Sequence, residues 1–155
     1  LCDCFTLDSL RSFDQDPRFG CSVLSEIASR ALSPAVNDPG TAIDILGRGV
    51  RLFAPWAQGP AAQEAEVSCQ GVWLTPLALD DLFDDLFGPI ARDGAGRIDV
   101  QLRLVKSLQA LAAQGTCFAA PARRLAREAL ALGEQALVLE VDRQRLREQV
   151  ETLLG

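Results

Sequence analysis

Histidine, tyrosine and methionine are all absent from this chain of 155 residues. Without histidine, the chain cannot form a Ser-His-Asp triad, a histidine general base, a histidine-ligated metal centre or a Cys/His zinc site. No phosphate-binding loop of the form GxxxxGK[ST] occurs, and DGAGRI is too short and wrongly placed for a dinucleotide fingerprint. The sequence therefore predicts a protein that is not an enzyme, with no catalytic residue, no bound metal and no cofactor.

Long hydrophobic runs are also missing. The longest runs are only a few residues, whereas a helix that spans a bilayer needs about 20 apolar residues, and no signal-peptide pattern is present. Because methionine is absent, we expect that Leu1 is not the natural start. We predict one soluble domain over residues 1–155, a fragment of a larger membrane protein whose transmembrane helices lie upstream of residue 1.

The charge balance argues against a nucleic-acid partner. Fifteen basic residues face 21 acidic residues, for a net charge of -6. An acidic domain is repelled by phosphate backbones and by anionic lipid surfaces alike. No run of basic residues stands out against this background.

The cysteines give a further indication of the cellular setting. They are five in number, Cys2, Cys4, Cys21, Cys69 and Cys117. An odd number without CxxC spacing fits structural thiols in a reducing compartment better than a disulfide framework. The Cys2-x-Cys4 pair leaves a metal or redox role open as the alternative.

The segment from Gln15 to Thr41 carries the most specific local signals. Asp16-Pro17 and Asp38-Pro39 each place an acidic capping residue before a proline at the first helical position, which predicts two helix starts. Between them, residues 22–32 have apolar side chains on one helical face and polar side chains on the other, which predicts an amphipathic helix that ends at Ser33-Pro34. A second, largely apolar helix is predicted from Pro39 to about Trp56. Two glycines inside it, Gly47 and Gly49, predict the close approach of a neighbouring backbone.

This segment resembles the signature of an uncharacterised family of bacterial predicted membrane proteins, the domain of unknown function numbered 2254. The resemblance lies in FDQDPRFG (13–20) and LSEIASRALSPAVNDPGTAID (24–44). It implies a full-length protein with about four membrane-spanning helices upstream and a soluble C-terminal half. It also implies that this half contacts its own transmembrane region and faces the cytoplasm. The resemblance implies no activity.

The remaining pattern completes the predicted fold. Residues 1–7 and 65–75 alternate as two strands of a hairpin. Helical patterns then follow at 79–90, at 98–113, from Pro121 onward and at 143–154. We therefore predict a mainly α fold, a helical bundle of about six helices with a small antiparallel sheet of two or three strands. The apolar face of 79–90 is expected to pack against 98–112 and 39–53.

Two polar clusters are candidate sites. The first is a candidate ligand-binding corner, with Asp16, Arg18, Arg30, Asn37, Asp38 and Thr41. Such residues around two helix starts can hold an anion or a polar headgroup, or they can cap the helices and pin the corner without a ligand. The second is the acidic face of the 79–90 helix, with Asp80, Asp81, Asp84 and Asp85. These carboxylates can bind a divalent cation or act as acid and base, or they can form a solvated face near a helix start.

Three functions remain compatible with these observations. The one we favour is a non-catalytic interaction or regulatory domain of a membrane protein, with the capacity to form a homo-oligomer. The first alternative is a domain that senses a small anion or other ligand through the corner. The second is a carboxylate- and metal-dependent hydrolase, which needs at least three carboxylates that converge from different elements.

Overall fold

The computed structural model describes residues 11–13, 16–57 and 77–155, and these ranges contain six α-helices. The helices are α1 (Pro17–Leu32), α2 (Pro39–Phe53), α3 (Leu79–Asp93), α4 (Ile98–Gln114), α5 (Thr116–Ala136) and α6 (Glu140–Leu154). A short 3-10 helix, Ala54–Ala57, continues α2.

The predicted fold class was wrong in its sheet. The described ranges contain helices and no strand, and the two segments to which strands were assigned, 1–7 and 65–75, lie outside them. The helices form a core by themselves, because each buries its apolar face on other helices. Around this core α1 packs on α2 and α3, α2 on α4, α3 on α5, and α4 on α5, while α6 covers α4 and α5. The third helix therefore packs mainly on α1 and α5 rather than on α2 and α4.

Both predicted helix starts are confirmed. The carboxylate of Asp16 accepts a hydrogen bond from the Phe19 amide at 3.0 Å, and that of Asp38 accepts from the Thr41 amide at 3.2 Å. Each is followed by proline at the first helical position. The first helix therefore begins at Pro17, about one turn before the amphipathic pattern at residue 22 becomes clear.

One helix start was misplaced. Pro121 lies inside α5, which begins at Thr116. Proline has no N–H, so Pro121 makes no hydrogen bond to the carbonyl of Cys117, four residues earlier. Cys117 is exposed, so this carbonyl lies at the surface rather than in the core. Further along, the chain leaves the helix at Leu137, whose backbone is extended, and turns helical again at Glu140.

Four phenylalanine rings form the centre of the core. Phe53, Phe83, Phe87 and Phe118 are each at most 2% exposed. The ring of Phe83 lies 5.1 Å from that of Phe53, 5.3 Å from that of Phe87 and 5.9 Å from that of Phe118, measured between centroids. Because these residues come from α2, α3 and α5, the rings join three helices at one place.

Gly47 and Gly49, in the interior of α2, face side chains rather than a backbone. A Cβ on Gly49 would stand 2.7 Å from Cδ2 of Leu86 and 3.1 Å from the Phe87 ring, so this glycine lets α3 approach closely. A Cβ on Gly47 would instead meet the guanidinium groups of Arg103 and Arg51, at 3.3 and 3.7 Å. The expected close approach is therefore real at Gly49, but side chains make it.

Candidate functional site

The predicted ligand-binding corner is divided between the two ends of α1. Asp16 and Arg18 lie at its start, whereas Arg30 lies in its last turn and Asn37, Asp38 and Thr41 follow it. Twelve residues separate Arg18 from Arg30 along this helix, which is a rise of about 18 Å. The six residues therefore do not converge on one ligand, and a site that uses all of them has no support in the geometry.

Arg18 connects the start of α1 to the acidic face of α3. Its guanidinium donates to both carboxylate oxygens of Asp85, at 2.7 and 3.1 Å, and to Asp81 at 2.9 Å. The hydrogen bonds and charge of Asp85 raise the pKa of Arg18 above its usual range. This bidentate geometry is the arrangement in which an arginine and a carboxylate recognise each other best.

Arg124 binds the rest of the acidic face from the opposite side. Its guanidinium on α5 donates to Asp84 at 2.7 Å and to Asp80 at 3.3 Å, and also to Glu128 on its own helix at 3.0 Å. The bonds to Asp84 and Glu128 raise the pKa of Arg124. All four aspartates of the acidic face are thus paired with an arginine from a neighbouring helix, two with Arg18 on α1 and two with Arg124 on α5.

This pairing accounts for the acidic face without a metal. Over residues 11–13, 16–57 and 77–155, no group of three or more cysteine, aspartate and glutamate side chains is arranged to hold a metal ion. The carboxylates also lie along one helix instead of converging from several. The ion pairs can therefore orient α1 and α5 against α3.

The other end of α1 is a capped turn. The Asp38 carboxylate accepts from the Thr41 hydroxyl at 2.6 Å as well as from the Thr41 amide, and these bonds lower its pKa. Asn37 adopts a positive φ of 52° and accepts a hydrogen bond from Arg97 through its side-chain oxygen. Arg30 is exposed, and no described residue forms an ion pair with it. Because Asp38 already occupies the start of α2, this end shows caps where an anion was predicted to bind.

The cysteines that the structure describes differ in their surroundings. Cys21 is 1% exposed, and burial raises the pKa of its thiol to about 11. Cys117 is an exposed free thiol. The prediction of buried thiols therefore fits Cys21 and fails for Cys117, while Cys2, Cys4 and Cys69 lie outside the described residues.

A set of basic residues that the sequence did not single out meets between α2 and α4. These residues line a cleft of about 250 Å³, together with Gly47, Val50, Ser107 and Ala110. They are Arg51 on α2 and Arg103 and Lys106 on α4. We call this cleft the cationic groove. The spacing of Arg103, Lys106, Ser107 and Ala110 places them on one helix face, but only the fold shows that Arg51 lies opposite.

A second cavity is apolar. It has a volume of about 310 Å³ and lies at the start of α1 and the end of α2. Its lining comprises Phe13, Pro17, Gly20, Cys21, Leu52, Phe53, Trp56 and Leu82.

Within the part of the chain that the structure describes, every helix is too short or too polar to cross a bilayer. No solved structure matches the chain. An uncharacterized protein of Mycobacterium bovis and two of Mycobacterium tuberculosis each share 56% identity with it over 36 residues. That stretch is 23% of this chain and only 7% of each relative's length.

The family comparison covers far more of the chain. The model of the family described as "Predicted membrane protein (DUF2254)" matches residues 1–110. This range includes both helix starts, the acidic face of α3 and the two basic residues that α4 gives to the cationic groove. The chain belongs to this family of predicted membrane proteins, in agreement with the resemblance carried by its QDPRFG and ALSPAVNDPGTA segments.

Proposed function

We propose that this chain is a non-catalytic interaction domain of a membrane protein and that it associates with a second copy of itself. The observation that carries the first part is the pairing of all four aspartates of the acidic face of α3 with Arg18 and Arg124. These ion pairs join α3 to α1 and to α5. A hydrolase would instead need open carboxylates that converge from several elements.

Self-association is supported by an exposed apolar surface at the connection between α5 and α6. Val138, Leu139 and Val141 are 87%, 59% and 55% exposed, and we call these three residues the apolar patch. Their neighbours carry both signs of charge, since the side chains of Glu140 and Arg145 are 65% and 63% exposed.

A second copy fits this surface better than a lipid bilayer does. In a two-fold dimer the same patch meets itself, so an apolar centre with acidic and basic residues at its rim is self-complementary. An anionic membrane surface would instead meet the exposed carboxylate of Glu140 and a chain of net charge -6. The patch is small, so we expect weak association that confinement to a membrane strengthens by raising the effective concentration.

In this proposal the domain is joined to membrane-spanning helices elsewhere in the full-length protein and faces the cytoplasm. The membership in a family of predicted membrane proteins and the two free cysteines, Cys21 and Cys117, support this setting. The domain would then report or stabilise the association of the membrane helices to which it is attached.

Val138→Asp is expected to abolish self-association, because it places a carboxylate at the centre of the apolar patch. The measurement is sedimentation velocity of the 155-residue chain from low to high micromolar concentration. The parent is expected to shift with concentration from 16.7 kDa toward twice that mass, while Val138→Asp stays monomeric at every concentration.

Val36→Asp is the matched control. Val36 is 59% exposed in the turn between α1 and α2, so the same change there is expected to leave self-association intact. A parent that stays monomeric throughout, or a Val138→Asp variant that associates as the parent does, would contradict the proposed self-association.

A further inference from the structure

The cationic groove carries an inference that goes beyond self-association. We propose that the groove between α2 and α4 is a binding site for a phosphoryl anion, held by Arg51, Arg103, Lys106 and the hydroxyl of Ser107. The anion is either a free phosphate or diphosphate, or the phosphate of a lipid headgroup. This site is separate from the corner at Arg18 and Arg30 that the sequence suggested.

The basic side chains of the groove differ from other basic residues of the chain in their partners. Other arginines of the chain, such as Arg18, Arg124 and Arg147, are paired with carboxylates of the fold. In contrast, no carboxylate among the described residues forms an ion pair with Arg51, Arg103 or Lys106. Three cations left together in one cleft of a chain with net charge -6 form a local positive potential that an anion would neutralise.

The guanidinium groups of Arg103 and Arg51 lie close to each other. Nη2 of Arg103 and Nη1 of Arg51 lie 3.3 and 3.7 Å from the position that a Cβ of Gly47 would occupy, so they are at most about 7 Å apart. Like charges at this separation repel each other. A phosphoryl group between them would accept from both guanidinium groups, the bonding pattern for which arginine forks are suited.

Ser107 brings a hydroxyl donor to the groove. Ser107 is only 4% exposed and lines the groove. Other buried or half-buried serines of the chain, Ser22 and Ser25, donate to backbone carbonyls of their own helix. Ser107 makes no such bond. The only fully buried side-chain polar atom without a partner in the described ranges is Oε1 of Gln101, so the Ser107 hydroxyl is open to the groove. A hydroxyl in this position can donate a hydrogen bond to an anion bound there.

The absence of a side chain at Gly47 leaves the floor of the groove open. A methyl group there would stand where the ligand would approach Arg103. Gly47 is also a helix-interior glycine, which is unfavourable relative to alanine. No core side chain lies within 4 Å of the Cβ position at Gly47, only the guanidinium groups of Arg103 and Arg51, so the glycine leaves space for a ligand beside these two groups.

The test measures binding to the 155-residue chain at constant ionic strength, because salt screens such contacts. One arm titrates inorganic phosphate and pyrophosphate by calorimetry. The other arm sediments the chain with phosphatidylcholine vesicles that contain or lack phosphatidic acid. Arg103→Gln is expected to weaken binding in the active arm by about tenfold or more, because a charge-assisted contact is lost.

Two further variants separate a site from general charge and from misfolding. Arg30→Gln removes an exposed arginine from the other candidate corner and is expected to bind as the parent does. Gly47→Ala is expected to unfold at a higher temperature than the parent and still bind more weakly, so a loss of binding there cannot be a loss of fold.

Binding of pyrophosphate that Arg103→Gln loses would establish a free anion as the ligand. Binding only to vesicles with phosphatidic acid, lost in the same variant, would establish a lipid headgroup. Absence of binding in both arms would overturn the proposal, as would an Arg30→Gln variant that loses as much binding as Arg103→Gln. The proposal is independent of self-association, because Val138→Asp alters neither α2 nor α4.

Discussion

Replacing Phe83 by alanine is expected to lower the free energy of unfolding by about 3–5 kcal/mol, the usual cost of removing a buried aromatic ring. Phe83 is fully buried, and its ring contacts those of Phe53, Phe87 and Phe118. Its removal opens a cavity where α2, α3 and α5 meet. Equilibrium unfolding in urea, followed by circular dichroism, measures the change.

Val36→Ala serves as the control for this prediction. Val36 is 59% exposed, so its truncation is expected to alter the free energy of unfolding by no more than about 0.5 kcal/mol. A loss for Phe83→Ala that is no larger than the loss for Val36→Ala would show that the phenylalanine cluster is not the centre of the core.

The second large effect is expected at Arg18. Arg18→Glu places a carboxylate against Asp81 and Asp85, so two attractive pairs between α1 and α3 become repulsive. We expect a fall in melting temperature several times larger than that caused by Arg30→Glu. Arg30 lies on the same helix, but it is exposed and has no acidic partner within the described ranges.

Two features of this prediction separate an ion pair from simple loss of packing. Asp85→Arg, added to Arg18→Glu, restores the attraction with the charges exchanged and is expected to recover part of the lost stability. The side chains of Arg18 and Asp85 are 43% and 21% exposed, so added salt is expected to narrow the difference between parent and Arg18→Glu. If Arg18→Glu melts at the temperature of Arg30→Glu, the contacts between α1 and α3 do not depend on this pair.

The parts of this fold that follow from neighbouring residues could be predicted from sequence. Asp16 and Asp38 cap helices through amides three residues away, so Asp-Pro identified both starts correctly. The apolar spacing in α3 likewise identified a face that is buried. Pro121 misled the prediction because a proline favours a helix start without requiring one, and here it is the sixth residue of a helix that begins at Thr116.

The contacts that give the polar residues their roles are long-range, and periodicity does not contain them. Arg18 and Asp85 are 67 positions apart, and the sequence grouped Arg18 with Arg30 because they are close in the chain. Along α1, Arg18 and Arg30 are separated by about 18 Å. Similarly, Arg51 and Arg103 come together only because α2 packs on α4.

The predicted sheet illustrates a different limit. Alternation of apolar residues in 1–7 and 65–75 is a short-range signal that favours strands. It says nothing about whether the helices need a sheet to cover their apolar faces. In the described ranges the helices cover one another, and residues such as Phe83, Leu104 and Leu108 are fully buried without one.

The claim that the acidic face of α3 is structural, and not a metal site, is tested most directly by thermal unfolding of the parent and of Asp81→Asn/Asp85→Asn in increasing Mg²⁺ and Mn²⁺. A metal bound at a hundred times its dissociation constant would stabilise the folded chain by about 2.7 kcal/mol, a shift that is easily measured. The account predicts that the double variant melts below the parent without metal, and that neither protein shows a saturable rise with either ion. A saturable rise in the parent that the double variant lacks would contradict it and would make the four aspartates a metal centre.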